Sequence, residues 1–235
     1  MSLDLPSGLV VRGFTPPLRL ADFRLVAFDM DSTLINIECV DEIAAAAGLK
    51  AQVAAITEAT MRGEIADFKE SLRRRVALLQ GIPETALHAI WEQRLRFNPG
   101  VEAFVGAARA AGLKTLLVSG GFTFFTDHVR DRLKIDFTRS NVLEVAEGAL
   151  TGRMVDQPWG DICDGEEKRR MLLATCAQLG IAPRQAIAMG DGANDLPMMD
   201  VAGLSIAFHA KPAVREKAML AINDGGMDLA LAVLR

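Results

Sequence analysis

Cysteine is scarce in this chain. Cys39, Cys163 and Cys176 are odd in number and far apart, so they build neither a disulfide framework nor a zinc knuckle and read as small core or surface thiols. Positive charge is not in excess either. The formal net charge is -4, and beyond the short run Arg73, Arg74, Arg75 there is no basic face, which argues against nucleic acid as a partner. The N-terminus lacks a basic start followed by an apolar stretch, and the chain lacks the roughly 18 uninterrupted apolar residues of a membrane span. The three histidines, His88, His128 and His209, have no ligand spacing. What is present is a hydrophobic share of 50% with 24% charged residues over 235 positions. That is enough for one sizeable core, or for a core domain with a smaller insert, in a cytoplasmic enzyme or binding protein that is a monomer or homodimer.

Short apolar runs alternate with helical patterns. Arg24 to Phe28, Lys114 to Val118, Ala186 to Met189 and Leu204 to Phe208 read as parallel strands buried on both faces. Val101 to Ala111, stopped by Gly112, and Glu166 to Leu179, stopped by Gly180, read as helices. The alternation predicts an α/β fold, a parallel sheet with helices on both faces. Residues 142–155 alternate in twos around Glu147-Gly148 and predict an antiparallel hairpin. A short strand is expected over Gly8 to Arg12, with a break at Pro16-Pro17. Between Glu38 and Phe97 the strand rhythm disappears. Three or four helical patterns fill it, with stops at Gly48 and Gly81 and with Pro83 suited to the first turn of the last helix. The expected division is a core domain of residues 1–37 and 98–235, with residues 38–97 as a helical insert directly after the first long strand.

Three strand ends carry polar chemistry. The first runs into Asp29-Met-Asp31-Ser32-Thr33, the second into Ser119-Gly120-Gly121, and the third into Gly190-Asp191-Gly192-Ala193-Asn194-Asp195. Ligands of open α/β sheets bind beyond the carboxyl ends of the strands. Carboxylates crowded there repel unless a hard cation sits among them, and an all-oxygen set suits Mg²⁺. Mg²⁺ in turn suggests phosphate, which the Ser-Gly-Gly turn before a helix could cradle with N–H groups and a hydroxyl.

The segments DMDST, SGG and GDGAND, in this order, resemble the three main motifs of the haloacid dehalogenase (HAD) superfamily of aspartate-nucleophile phosphotransferases, and Lys168 matches the lysine that precedes the last of them. DSTLIN, the pair Glu38-Cys39, DEIA, SLRRRV, SGGFTFF, GDGANDLPM and HAKP resemble its phosphoserine phosphatase family, over roughly residues 22–230. The resemblance implies a HAD-like Rossmannoid core with the insert as its cap. It implies that Asp29 is the nucleophile and Asp31 the general acid and base. It assigns Mg²⁺ to the Asp29 side chain, the Asp31 carbonyl and Asp191, with Asp195 in support. Lys168, Ser119, Gly120 and Asn194 would steady the phosphoryl oxygens. Glu38 would take the substrate ammonium and Arg75 its carboxylate. The implied reaction is hydrolysis of O-phospho-L-serine, the last step of L-serine biosynthesis. One departure is the spacing from Gly63 to Phe68, a residue longer than the family's usual, which bears on Met61 and Phe68 beside the substrate.

The residues taken alone leave other readings. Lys168 could be a solvated helix residue, Glu38 a first-turn glutamate favoured by the helix dipole, and Asp191 and Asn194 turn chemistry. The enzyme could serve another small phosphomonoester, such as phosphohomoserine, phosphothreonine or phosphoethanolamine. A receiver module that stores its aspartyl-phosphate is the alternative outside catalysis, and Asp31 argues against it, because an acid/base beside the nucleophile promotes turnover.

Overall fold

The computed structural model describes residues 5–62, 64–65 and 67–235, without the side chain of Met61. The expectations attached to Met61 and to the spacing from Gly63 therefore lie outside the described residues. Among the described residues, eight strands form one sheet: β1 (Leu9–Val11), β2 (Leu25–Phe28), β3 (Lys114–Phe122), β4 (Phe137–Ala146), β5 (Ala149–Val155), β6 (Ala186–Gly190), β7 (Leu204–Phe208) and β8 (Leu220–Ile222). Their order is β1-β8-β7-β6-β2-β3-β4-β5. The pairs from β8 through to β4 are parallel, while β1 on β8 and β5 on β4 are antiparallel. The fold is thus α/β with a mixed sheet, parallel through its centre and antiparallel at both edges.

Strand geometry explains the continuous apolar runs. Along β2, Leu25 and Ala27 join one core and Val26 and Phe28 the other, because successive side chains leave opposite faces. Helices α1 (Cys39–Ala46), α2 (Lys50–Met61), α3 (Phe68–Ala77) and α4 (Thr85–Gln93) lie between β2 and α5 (Val101–Ala110), and α6 (Thr123–Leu133) follows β3. On the Phe28 side, α5 contributes Phe104 and α6 contributes Phe125. Phe28 and Phe104 meet edge to face with centroids 6.0 Å apart, each burial contributing about 1.5–3 kcal/mol. The Ala27 face is covered by α7 (Gly165–Gln178), α8 (Leu196–Met199) and α9 (Pro212–Lys217) through Leu172, Met198 and Val214.

Several elements differ from the sequence reading. Ser119-Gly120-Gly121 is not a turn: β3 continues to Phe122 through an irregularity in which four steps on β3, from Val118 to Phe122, answer two on β4, from Arg139 to Asn141. Asn141 explains it, since its side chain donates to the Gly120 carbonyl at 2.8 Å and accepts from the Cys163 N–H at 2.8 Å. The sequence reading lacked β8 and the parallel half of β4. Pro83 lies ahead of α4, not in its first turn, and bridges to Ala149 on the hairpin. Around it Gly81 N–H donates to Leu150 O, Leu150 N–H to Ile82 O, and Glu84 N–H to Gly148 O, at 2.8, 2.8 and 2.9 Å. The segment before α4 is thereby stitched to β5. The hairpin turn itself has Glu147 and Gly148 at φ 53° and 77°, the pair of positive values that two-residue hairpins favour.

Candidate active site

The registers bring the chemistry together. Phe28 stands level with Leu117 on β3 and Met189 on β6, so Asp29, the Ser119 segment and the Gly190 segment leave the sheet along one edge. They open into a cavity of about 870 Å³, whose opposite wall is supplied by α1, α2 and α3. Asp29, Asp31, Ser119, Gly120, Asp191 and Asn194 line the sheet side; Glu38 and Arg75 line the helical side.

Lys168 is the buried electrostatic centre. It is wholly inaccessible, and its Nζ lies 2.7 Å from Asp29 Oδ1 and 2.7 Å from Asp195 Oδ1. Burial alone would discharge the amine, but Asp195 and then Asp29 outweigh it and hold the ammonium charged. Helix α7 places it there. Asp164 caps that helix by accepting from the Glu167 N–H at 2.9 Å, and buried Glu167 is clamped by Arg139 and Arg170. Asp195 Oδ2 accepts from the N–H groups of Asp191 and Gly192 at 3.1 and 3.0 Å, so both its oxygens are engaged in holding the loop and Lys168. Gly190 makes this possible, because a Cβ there would lie 2.3 Å from Asp195 Cγ.

Carboxylate oxygens of Asp29, Asp191 and Asp195 all fall within 4.8 Å of one another. Among the described residues no hydrogen-bond donor meets buried Asp29 Oδ1, whose contact with Lys168 has ion-pair distance without hydrogen-bond geometry. Burial, and then the charge of Asp195, raise the Asp29 carboxyl well above its ordinary range; burial and Asp195 likewise push Asp191 up to about 7. Crowded, under-compensated and all-oxygen, this set fits a small hard divalent cation. The Asp31 carboxylate is not part of that group. It turns toward α1, accepting from Cys39 N–H on Oδ2 at 3.0 Å and from Cys39 Sγ on Oδ1 at 3.1 Å. Burial and then Glu38 raise it to about 7.

The other expected residues occupy distinct places. Ser119 is buried, its Oγ accepting from Gly121 N–H at 2.9 Å. Glu38 is exposed at the start of α1 and accepts from Ser32 Oγ at 2.7 Å. Arg75 alone of the three arginines lines the cavity; burial lowers its pKa, opposed by Asp41, Glu38 and Asp31. Arg73 instead pairs with Asp161 and Arg74 with Glu70. His88 and His128 pack with Phe124 outside the cavity. Sequence reasoning missed Asn98, whose Nδ2 donates to the carbonyls of Ser32, Thr33 and Ile35 at 3.2, 2.9 and 3.0 Å and so shapes the loop after Asp29. Its only signal is an Asn-Pro-Gly turn. Asp41 and Lys211 were also passed over and line the cavity, while Thr33, read with Ser32 as a donor toward phosphate, donates its Oγ1 to Asp191 Oδ1 at 3.4 Å.

Comparison with known proteins agrees with this geometry. The family model for haloacid dehalogenase-like hydrolases matches residues 23–203. The chain is 70% identical to a phosphoserine phosphatase of Polaromonas sp. over 99% of its own length and 98% of the relative's. It is 69% identical to one of Albidiferax ferrireducens, over 97% and 96% respectively. A solved structure of a phospho-aspartyl intermediate analogue of phosphoserine phosphatase superposes with a TM-score of 0.82 at 35% identity, covering 91% of this chain and 99% of that one.

Proposed function

The chain belongs to the haloacid dehalogenase-like hydrolases and, within them, to the phosphoserine phosphatases, and from that premise we propose that it hydrolyses O-phospho-L-serine to L-serine and phosphate through an aspartyl-phosphate on Asp29. The observation that carries the reading is the pairing of two opposed walls. Asp29 sits beside Lys168, Asp191 and Asp195 on one, and Glu38 and Arg75 stand on the other, across a cavity of about 870 Å³.

Asp29 attacks phosphorus in line while Lys168 offsets the charge shared between nucleophile and phosphoryl oxygens. The Asp31 carboxyl gives its proton to the ester oxygen, so serine leaves as the neutral hydroxyl. The resulting carboxylate then takes a proton from the water that attacks the aspartyl-phosphate. A value near 7 for Asp31 suits a group that must hold and release a proton in turn. Ser119, the Gly120 N–H and Asn194 steady the phosphoryl oxygens. The Asp29 side chain, the Asp31 carbonyl and Asp191 would hold Mg²⁺, with Asp195 behind them; bound there, Mg²⁺ would neutralise charge between two anionic reactants. Residues 38–97 act as the cap, with Glu38 taking the substrate ammonium and Arg75 forking onto its carboxylate. We place the enzyme in the cytoplasm, acting in serine biosynthesis. Among the described residues no helix is long and apolar enough to cross a membrane.

The test is phosphate release with Mg²⁺ present, comparing kcat/KM for O-phospho-L-serine, phosphohomoserine, O-phospho-L-threonine and phosphoethanolamine. A strong preference for O-phospho-L-serine is expected. A flat or reordered profile would keep the aspartate chemistry and reject the substrate; a phosphorylated but non-turning protein would favour a phosphate-storing module.

A further inference from the structure

We propose that Cys39 is a positioning residue for the acid and base Asp31, its buried thiol fixing the plane of that carboxyl group so that one oxygen stays aimed at the ester oxygen of the substrate. Cys39 is the first residue of α1 and is wholly buried. Its N–H donates to Asp31 Oδ2 at 3.0 Å and its thiol to Asp31 Oδ1 at 3.1 Å. One residue thus holds both oxygens of a single carboxylate. The N–H is one of the donors that a helix start leaves unpaired, and the positive end of the helix favours the negative charge. The thiol adds what the backbone cannot supply, because one contact leaves a carboxyl free to turn about its bond and two do not.

The surroundings reinforce the constraint. Ser32 sits in the left-handed region at φ 57°, a conformation that strains a non-glycine residue and persists only where contacts enforce it. Ser32 Oγ donates to Glu38 Oε1 at 2.7 Å, and Ser32 N–H to Ile37 O at 3.2 Å, closing the loop that brings Cys39 back over Asp31. The sulfur is wholly buried and lies 3.1 Å from a carboxylate oxygen, so the thiol meets Asp31 as a donor and has no open approach as a nucleophile. Cys163 and Cys176 pack in the opposite core and make no contact of this kind.

The proposal rests on the phosphomonoesterase reading of Asp29 and Asp31. In the first step a bond forms between an Asp29 oxygen and phosphorus, the bond from phosphorus to the ester oxygen breaks, and the Asp31 proton moves to that oxygen. An ester whose leaving group is stable as an anion does not need the proton. Misplacing a reacting group by 1 Å can lower rates by roughly a hundredfold; removing one of two restraints should lower them less.

The experiment compares Cys39→Ala, Cys39→Ser and Cys39→Val with the parent enzyme on O-phospho-L-serine and on p-nitrophenyl phosphate. For Cys39→Ala, kcat/KM on O-phospho-L-serine should fall about tenfold, mostly in kcat, and by less than about twofold on p-nitrophenyl phosphate. Serine, which keeps a donor, should recover most of the loss; valine, which fills the volume without one, should behave as alanine and decides the question if the alanine variant folds poorly. Equal losses on both esters, no loss on either, or a serine variant as slow as valine would overturn the proposal. A parent enzyme that ignored O-phospho-L-serine but hydrolysed another alkyl phosphate would refute the substrate alone, and the same comparison would then be read on that ester.

Discussion

Replacing Lys168 by methionine keeps most of the side-chain volume and deletes a charge. In the parent protein one ammonium, wholly inaccessible, lies 2.7 Å from each of two carboxylates that are 5% and 0% exposed. Removing one partner of a buried ion pair typically costs about 3–5 kcal/mol, because the charge left behind has neither water nor a counter-ion. Set against a total stability of roughly 5–15 kcal/mol for a domain, Lys168→Met should remain folded but visibly weakened. The loss should depend on pH. Asp29 is already raised well above its ordinary range, first by burial and then by Asp195; without Lys168 it rises further and takes up a proton in the folded state. The folded variant then binds protons that the unfolded chain does not, so acidification relieves the variant until free carboxylates themselves protonate near pH 4. Lys168 itself, with its pKa raised in the fold, keeps its contribution throughout this window and loses it only in strong alkali. Urea unfolding in the presence of a chelator, followed by the fluorescence of Trp91 and Trp159, should therefore show the larger deficit at about pH 8 and a smaller one at about pH 5.5. Turnover should drop by about 10²–10³, as for the loss of one donor to developing charge. Arginine should not rescue, since its planar fork cannot replace a point charge between two single oxygens. A methionine variant within about 1 kcal/mol of the parent at the higher pH, and within about tenfold in kcat, would refute the assignment of Lys168 as the counter-charge.

Asp29→Asn should abolish turnover, checked by phosphate release, and melt no lower than the parent in metal-free buffer, because it removes one of several crowded carboxylates. Arg75→Ala should raise KM for O-phospho-L-serine by about 10–100-fold, the worth of a charged hydrogen bond, and leave phosphoethanolamine nearly unchanged; equal losses would show that Arg75 does not meet the carboxylate. Asp191 has a folded value of about 7 against an ordinary 3.8. The metal-free fold therefore binds the extra proton between those values and loses stability as pH rises through that window. Mg²⁺ competes with that proton, so it should raise the melting temperature more at about pH 8 than at about pH 6. An equal increment at both would remove Asp191 from the metal set.

The strands that could be read from the sequence are those buried on both faces, such as Leu204–Phe208, where the apolar run itself is the signal. Leu220–Ile222 escaped because its apolar run, Ala218 to Ile222, is rich in the helix formers Ala, Met and Leu, and the first half of β4 because Thr138, Arg139 and Ser140 are polar; partners across the sheet define both. Asp29, Asp191 and Lys168 could be singled out because motifs sit at strand ends or match a known pattern. Asn98, Asn141 and Cys39 could not. Each acts through contacts to backbone or carboxylate atoms set by the tertiary fold, and its local sequence suggests only a turn, a strand and a small buried thiol. The Ser119 segment was misread for the same reason: glycines suggest a turn, and only Asn141, on the neighbouring strand, makes the irregular strand favourable.

The backbone bonds that join residues 81–84 to the hairpin have a mechanical consequence. The two chain crossings between insert and sheet run side by side, with Ile35 bridged to Phe97 and Asn36 N–H donating to Arg96 O at 3.0 Å, and so behave as a single support. The contact with Leu150 is a second support, and two supports define an axle. A rigid insert turning on that axle moves each residue in proportion to its distance from it. Arg75 stands near that second support, two residues before Ala77, whose carbonyl lies 3.0 Å from where a Cβ on Gly152 of β5 would sit. An insert that opened about that axle would move Arg75 less than residues standing farther from β5, so the two walls of the cavity would part unevenly.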